Sequence, residues 1–491
     1  MTRARLSYLI GLGCIAALAF GLRLWISAHA FFTTDDFYFL ELVQSPRWSW
    51  REVFLPTHSR FVAAYRPLGL DGYFYWNFAL FGWSAFGYYV TAILLQCATA
   101  AVVFRIARQL DFEPRSALLA ALLTACAGPT LSASYAVNEH NYLCAALFYA
   151  SSVMWFIDYQ AFRRRHTLLL SSAAMLAGTL SNDVCATLPI LLFGIAFAGA
   201  WGERESVAGE PRWQAAVDCS RSALASTWPH FILAALFVDF LLYGVPRASL
   251  NWFYEPDFGL DAISNTLDNL ANVFGGRLRL LALALALVVV FVFWRGPRLR
   301  GVASGALPLS WLLLGFLPFA ILAFPATRFA LLQLPAAALC VAWLGGAVVR
   351  RVRGEWRQSA ALLALACLCI PWEGTFALLR SPPGQAQREA YLVAKPVLSG
   401  RSLDCVRVLC GGEGQANMSE CASFRDTIFG GALFRAMLPQ RAVLIEFEDA
   451  RLNMGPYYAQ MECVRFELQR DLRLVPLAEP AATHATLSHA D

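Results

Sequence analysis

Residues 6–27, LSYLIGLGCIAALAFGLRLWIS, are closely followed by Thr33-Thr34-Asp35-Asp36-Phe37-Tyr38-Phe39-Leu40-Glu41. As a helix, the first stretch is long enough to cross a hydrocarbon core of about 30 Å. The second sets two adjacent carboxylates at the membrane surface, ahead of a run of aromatics. Ionisable groups are costly so close to lipid and point to a function when they occur there.

The rest of the chain repeats the apolar theme. Of its 491 residues 58% are hydrophobic and 15% charged, whereas a soluble domain carries about 25% charged residues. Apolar stretches at 6–27, 84–104, 116–136, 141–159, 167–181, 184–200, 227–244, 278–294, 306–323, 329–348 and 359–379 predict about eleven transmembrane helices in an all-α polytopic protein. The net charge of +5 is spread over short loops and gives no nucleic-acid signal.

Arginine placement orients the spans. With Arg3 and Arg5 inside, the inner loops also hold Arg105, Arg108, Arg115, Arg163 to Arg165, Arg204, Arg212, Arg221, Arg295, Arg298, Arg300, Arg350, Arg351, Arg353 and Arg357. The outer loops hold far fewer, and Arg47, Arg51, Arg60 and Arg66 share a single long one. The positive-inside rule therefore places the N-terminus in the cytoplasm of a plasma (inner) membrane and the C-terminal region outside with the acidic pair. Ala28-His29-Ala30 has the form of a cleavage site, but the apolar run before it is long for a signal peptide and carries Arg23 and Trp25 near its outer end.

This divides the chain into a membrane domain, 1–380, with long outer loops at 28–83 and 245–277, a soluble extracytoplasmic α+β domain, 381–476, and a disordered tail, 477–491. In loop 28–83 charges alternate with aromatics, a pattern suited to short interfacial helices. Tight outer turns follow at Val137-Asn138-Glu139-His140-Asn141 and Ser181-Asn182-Asp183, and a helical spacing runs from Asp261 to Phe274. Strands are predicted at Leu403 to Leu409 and Ala442 to Glu448, with an amphipathic helix from Asp426 to Leu438. Cys405, Cys410, Cys421 and Cys463 lie in the outer domain, where disulfides are permitted and three pairings are open.

Several motifs, in order, resemble the GT-C superfamily of membrane glycosyltransferases, nearest to its protein O-mannosyltransferase-like branch. They are the acidic pair after the first span, Ala64-Tyr65-Arg66-Pro67-Leu68, Asn77 with Leu80-Phe81-Gly82 and Gly87-Tyr88 through Leu95, Ser181-Asn182-Asp183 with Leu188-Pro189, and Pro325 to Arg328 with Leu334-Pro335. The resemblance covers roughly residues 1–350. It departs where Tyr89, Ala92 and Gln96 replace the family's histidines and asparagine, where Asn182 replaces a lysine, and where the acid that follows is shortened to Asp183. It implies a GT-C fold, a polyprenyl-phosphate sugar donor and transfer with inversion to a hydroxyl of a protein, lipid or glycan. It also implies that the first acid of the pair, Asp35, is the base.

The residues offer parts for that chemistry. A carboxylate, Asp35 or Asp36, would take the acceptor proton, and Arg66 and Arg328 would neutralise the lipid phosphate bidentately. Glu139, His140 and Asp183 would line the cavity or meet the acceptor. Mg²⁺ or Mn²⁺ held by Asp36 fits the residue types, although no ligand spacing demands it. Plainer roles compete: a helix N-cap for the acidic pair, a surface ion pair of Arg66 with Asp71 or Glu52, a cap for Asp183, a satisfied turn residue for His140, and snorkelling for Arg328. At the level of function, the rivals are a lipid or solute transporter or flippase, and a non-catalytic GT-C-like protein that binds lipid or a partner.

Overall fold

The structure, a computed structural model, describes residues 3–33, 35–44, 48–55, 65–126, 136–204, 212–244, 264, 268, 307–314, 330–350, 352–370, 372–398, 405–410, 418–427, 432–438, 444–449, 463–470 and 473–477. In chain order the helices are α1 (Arg3–His29), α2 (Asp36–Gln44), α3 (Gly72–Phe81), α4 (Ala85–Gln109), α5 (Pro114–Cys126), α6 (His140–Phe162), α7 (Arg165–Ser181), α8 (Leu188–Arg204), α9 (Arg212–Tyr243), α10 (Leu334–Val349), α11 (Glu355–Cys369), α12 (Trp372–Arg380) and α13 (Gln385–Leu398). A smaller unit follows, built of β1 (Cys405–Cys410), α14 (Met418–Thr427), α15 (Ala432–Met437), β2 (Leu444–Asp449), β3 (Cys463–Leu468) and β4 (Leu474–Pro476).

Five described helical segments are long and apolar enough to cross a bilayer: Leu6–His29, Ala85–Gln109, Val137–Phe162, Asp183–Gly202 and Trp213–Tyr243. The protein is an integral membrane protein. The expected span at 278–294 lies outside the described residues, as do 306–323 beyond Leu314 and the expected helix over 261–274 except at 264 and 268.

One expected span differs from its predicted form. The segment 359–379 is two helices, α11 and α12, interrupted after Ile370. The segment 116–136 is helical over 116–126 as part of α5, and 127–135 lie outside the described residues. Arg23 of α1 donates Nη1 to the Ala125 carbonyl at 3.0 Å, and Gln96 of α4 donates Nε2 to the Thr124 carbonyl at 2.5 Å.

Helix α6 is central, with 67% of its apolar window buried by protein against 22% for α1. It forms a hairpin with α7 through Arg163, whose φ of 52° is left-handed. Deep in the bundle, Ser152, Ser171 and His230 tie α6, α7 and α9 together, with Ser171 Oγ 2.9 Å from His230 Nε2. Arg105 pairs with Asp158 at 2.7 Å near the α6–α7 hairpin.

The C-terminal unit is a mixed four-stranded sheet ordered β2-β1-β3-β4. β1 is parallel to both neighbours, pairing Cys405 with Leu444 on one side and with Cys463 on the other, whereas β3 and β4 are antiparallel. Helices α14 and α15 lie between β1 and β2 in the chain, and α15 falls within the predicted helix over 426–438, of which 428–431 lie outside the described residues. A strand flanked on both sides in a parallel arrangement is buried on both faces, which suits β1, where Val406 and Val408 on one face and Cys405 and Arg407 on the other are all buried. Cys410 is bonded to Cys421, and Cys405 is also disulfide-bonded. A single apolar cluster runs from this unit into the membrane domain, containing Val408, Phe434 and Phe466 together with Phe37, Leu40 and Phe74.

Candidate active site

The site begins with a helix cap. Asp36 Oδ2 accepts the Thr33 backbone N–H at 2.8 Å, and the Asp36 N–H is 2.8 Å from the Thr33 carbonyl. This is the reach-back of a capping box, which starts α2. The same carboxylate also crosses to another turn, accepting the backbone N–H of Val137 at 3.1 Å and of Asn138 at 2.8 Å. Asp36 is fully buried. Burial pushes its carboxyl up to about 7, against the downward pull of the three backbone N–H donors.

Asp35 stands one position earlier and is only partly buried. Asn138 Nδ2 donates to its Oδ2 at 3.2 Å, so this one asparagine holds both carboxylates. The bonds continue through two more asparagines. Asn141 Nδ2 donates to the Asn138 carbonyl at 3.0 Å, and Asn182 Nδ2 donates to Asn141 Oδ1 at 3.3 Å. Asn182 Oδ1 in turn accepts Val184 N–H at 3.2 Å, capping the short turn Asp183–Thr187.

The cap after α7 is thus Asn182, and Asp183 is left to pair elsewhere. Its Oδ1 accepts Nη2 of Arg66 at 2.9 Å and Nε at 3.2 Å. Arg66 thus pairs with Asp183, a partner beyond the Asp71 and Glu52 that the sequence suggests. The Arg66 side chain is 10% exposed and that of Asp183 41%, and the guanidinium lies 5.6 Å from the centre of the Tyr142 ring. What brings them together is the π-helical turn Pro67–Asp71, pressed against the end of α7. A Cβ on Gly69 would lie 2.5 Å from the Ser181 carbonyl oxygen. Only a glycine permits that approach, and π-turns recur at functional sites.

His140 is fully buried behind the acidic pair. Its Nδ1 is 2.8 Å from the Tyr73 hydroxyl, which spends its own proton on the Tyr88 carbonyl at 2.6 Å. Nδ1 is therefore the protonated nitrogen, and the ring is held edge-on to Tyr73 and Tyr89. This is a bracing role and not a cavity-facing one. Glu139 is partly buried in the turn Val137–Glu139. Asp71 closes the π-turn, and burial pushes its carboxyl up to about 7. Arg328 lies outside the described residues.

A divalent cation does not fit Asp36. Both of its oxygens face backbone N–H donors, a shell that holds an anion. Among the described residues no group of three or more His, Cys, Asp or Glu could hold a metal ion.

Sequence reasoning named Asp35, Asp36, Arg66 and Asp183, and the structure gathers them at one end of the bundle. It missed Asn138, Asn141 and Tyr73. Their signal was weak: two asparagines three apart in a tight turn after an apolar helix.

No protein-family model matches the chain, and no curated protein matches it. Among solved structures, the apo oligosaccharyltransferase of Archaeoglobus fulgidus matches at 12% identity over 92% of this chain and 66% of its own, with a TM-score of 0.50. ArnT from Cupriavidus metallidurans, bound to undecaprenyl phosphate, matches at 15% identity over 89% of this chain and 90% of its own, with a TM-score of 0.47. The arabinofuranosyltransferase AftD from Mycobacteria matches at 18% identity over 89% of this chain and 31% of its own, with a TM-score of 0.45. The chain thus spans about two thirds of the oligosaccharyltransferase and under a third of the arabinofuranosyltransferase. The first likeness shows the fold, one shared with the archaeal oligosaccharyltransferase.

Proposed function

We propose that the protein is a polyprenyl-phosphate-dependent glycosyltransferase acting on the extracytoplasmic side of the plasma (inner) membrane, in the manner of the O-mannosyltransferase-like branch. One observation carries this reading. A carboxylate pair and a buried arginine, brought from three distant turns, are joined through Asn138, Asn141 and Asn182 into one polar constellation.

Within that constellation the two acids divide their labour. Asp36 is committed to backbone donors on two turns, so it positions. Asp35, the more exposed, is the general base that takes the acceptor hydroxyl proton. The deprotonating oxygen attacks the anomeric carbon from the face opposite the phosphate. The carbon–oxygen bond to the phosphate breaks, its electron pair leaves on the polyprenyl phosphate, and the configuration inverts. Arg66 meets the charge that grows on that phosphate, where a desolvated guanidinium is worth more than in water. Asp183 holds Arg66 in place until the donor arrives, and Arg328 supplies a second cation. The acceptor is a hydroxyl of a protein, lipid or glycan, and the positive-inside pattern places the site outside.

A transporter or flippase is the competing reading. Its substrate path would call for charged groups near mid-membrane, whereas here the carboxylates and Arg66 gather at turns. The test is transfer from radiolabelled polyprenyl-phosphate mannose or glucose in proteoliposomes, wild type against Asp35→Asn. The expected loss is about 10²-fold to 10⁴-fold, the usual span for removing a general base. Full activity in Asp35→Asn would refute the base, and movement of label across the bilayer without any transferred sugar would refute the enzyme.

A further inference from the structure

The C-terminal unit is gripped to the acidic helix from two sides. On one side, α2 packs more extensively against α15 of that unit than against α3 of the membrane domain. Phe37, Phe39 and Leu40 of α2 share one buried apolar cluster with Leu433 and Phe434 of α15. Phe434 is stacked in turn on Phe466 of β3, ring centres 5.9 Å apart. On the other side, the segment just before the acidic pair is tied to the strap that leads into α13. The Phe31 N–H donates to the Pro383 carbonyl at 2.9 Å, and the Phe31 ring lies 5.3 Å from that of Tyr391. Gly384 passes close enough that a Cβ there would lie 2.6 Å from the Phe31 carbonyl oxygen, and its φ of +74° already favours glycine. Asp35 and Asp36 sit between these two grips.

From this geometry we propose that the C-terminal unit is a clamp that sets the position of the Asp35–Asp36 pair, with Phe434 and Gly384 as positioning residues. The proposal rests on the reading of Asp35 as base for its effect on rate, but not for the clamp itself. A module that only presented an acceptor would need freedom to move against the bundle. Here its core is continuous with the core that holds the acids, and separating the two would expose Phe39, Leu40 and Phe434 to water at once. Asp36 opens a nine-residue helix and Asp35 directly precedes it, and a helix so short does not hold its shape without tertiary packing. Loosening the clamp therefore acts on the turn that carries the acids before it acts on the membrane helices.

The test uses the full chain in lipid nanodiscs, with hydrogen exchange read over residues 31–44 and, as reference, 140–162. Phe434→Leu, Phe434→Ala and Gly384→Ala loosen the two grips by unrelated means, and Phe434→Leu is mild enough to fold. Exchange over 31–44 is expected to rise about tenfold in Phe434→Leu and further in Phe434→Ala, while 140–162 is unchanged. The transfer rate falls in step with donor KM held within about twofold, because ground-state binding is untouched. Faster exchange in 405–410 and 463–468 with 31–44 at its wild-type rate would overturn the clamp. Faster exchange over 31–44 with transfer at the wild-type rate would overturn the positioning role. If wild type transfers no sugar yet shows the expected exchange pattern, the clamp stands and the transferase reading falls.

Discussion

Gly69→Ala tests whether the Arg66–Asp183 pair is assembled by a backbone contact. The added Cβ would meet Ser181 backbone atoms, the carbonyl oxygen at 2.5 Å and Cα at 2.9 Å. Neither atom belongs to a flexible side chain that could turn aside. Ordinary contact begins near 3.4 Å, so the π-turn must withdraw by about 0.9 Å. Arg66 leads directly into that turn, and Asp183 lies just beyond Ser181. Carried through, the withdrawal stretches the 2.9 Å bond from Nη2 to Oδ1 toward 3.8 Å, past the limit of a hydrogen bond. A displacement of about 1 Å at a positioning group costs roughly 10²-fold in rate, and overpacking costs about 1–3 kcal/mol of stability. The assay is sugar transfer in proteoliposomes beside thermal unfolding in detergent. Gly13→Ala serves as control, since its Cβ would meet nothing within 4 Å. If Gly69→Ala keeps transfer within about twofold of Gly13→Ala, the contact does not assemble the pair and the reasoning fails.

Three further outcomes are expected. In a double-mutant cycle on thermal stability, Arg66→Ala and Asp183→Ala should couple by about 1 kcal/mol, discounted for the exposed carboxylate; additive losses would mean that the pair is not formed in solution. Asp36 and Asp71 both sit near 7 when folded against 3.8 ordinarily. Raised carboxyls stabilise the fold below the unfolded value and lose that contribution as pH climbs through the folded one, so the thermal midpoint should fall between about pH 4 and 7. Asp36→Asn should flatten part of that slope, and an unchanged slope would rule Asp36 out as its source. Cys421→Ser opens the Cys410–Cys421 loop of sequence separation 11 and should cost the C-terminal unit about 2–3 kcal/mol. Differential scanning with exchange readout would show it, and equal destabilisation of residues 140–162 would contradict a local effect.

Much of the fold was legible because apolar length speaks for itself in a membrane chain. The helices at 6–27, 84–104, 141–159 and 167–181 were placed to within a few residues. The bonds of Arg23 and Gln96 to the Ala125 and Thr124 carbonyls were not, because hydropathy does not record contacts made from other helices. Strand β3 was missed although Val464-Arg465-Phe466-Glu467-Leu468 alternates as a half-buried strand should; its charges drew attention to surface and away from periodicity. In the site, the charged members stood out because charge is rare in this chain. Their partners did not, because pairing Arg66 with Asp183 depends on the approach of Gly69 to Ser181, and no local pattern announces that contact. Asp36 shows the same limit from the other side. Its cap to Thr33 is local and readable as T-x-x-D, but its bonds to Val137 and Asn138 span about a hundred residues of chain.

The departures from the resembled motifs fall in a consistent place. Tyr89 donates its hydroxyl to the Phe31 carbonyl at 3.2 Å, and Gln96 donates to the Thr124 carbonyl. Asn182, where the motif has a lysine, bonds Asn141 and caps a turn while fully buried. None of the three carries a charge, and each satisfies a backbone carbonyl, a backbone N–H or a neighbouring amide. A lysine at 182 would place an ammonium with no acceptor oxygen of its own where Asn182 now both donates and accepts, so restoring it would break the cap and the asparagine link together. The acid pair and Arg66, in contrast, match their motifs unchanged. At Tyr89, Gln96 and Asn182 this chain builds the frame behind the site with neutral hydrogen bonds, whereas Ala92 brings no polar group and Asp183 keeps its charge. That leaves donor-phosphate neutralisation in the proposed mechanism to arginine alone, with Arg66 the member already held in the described structure.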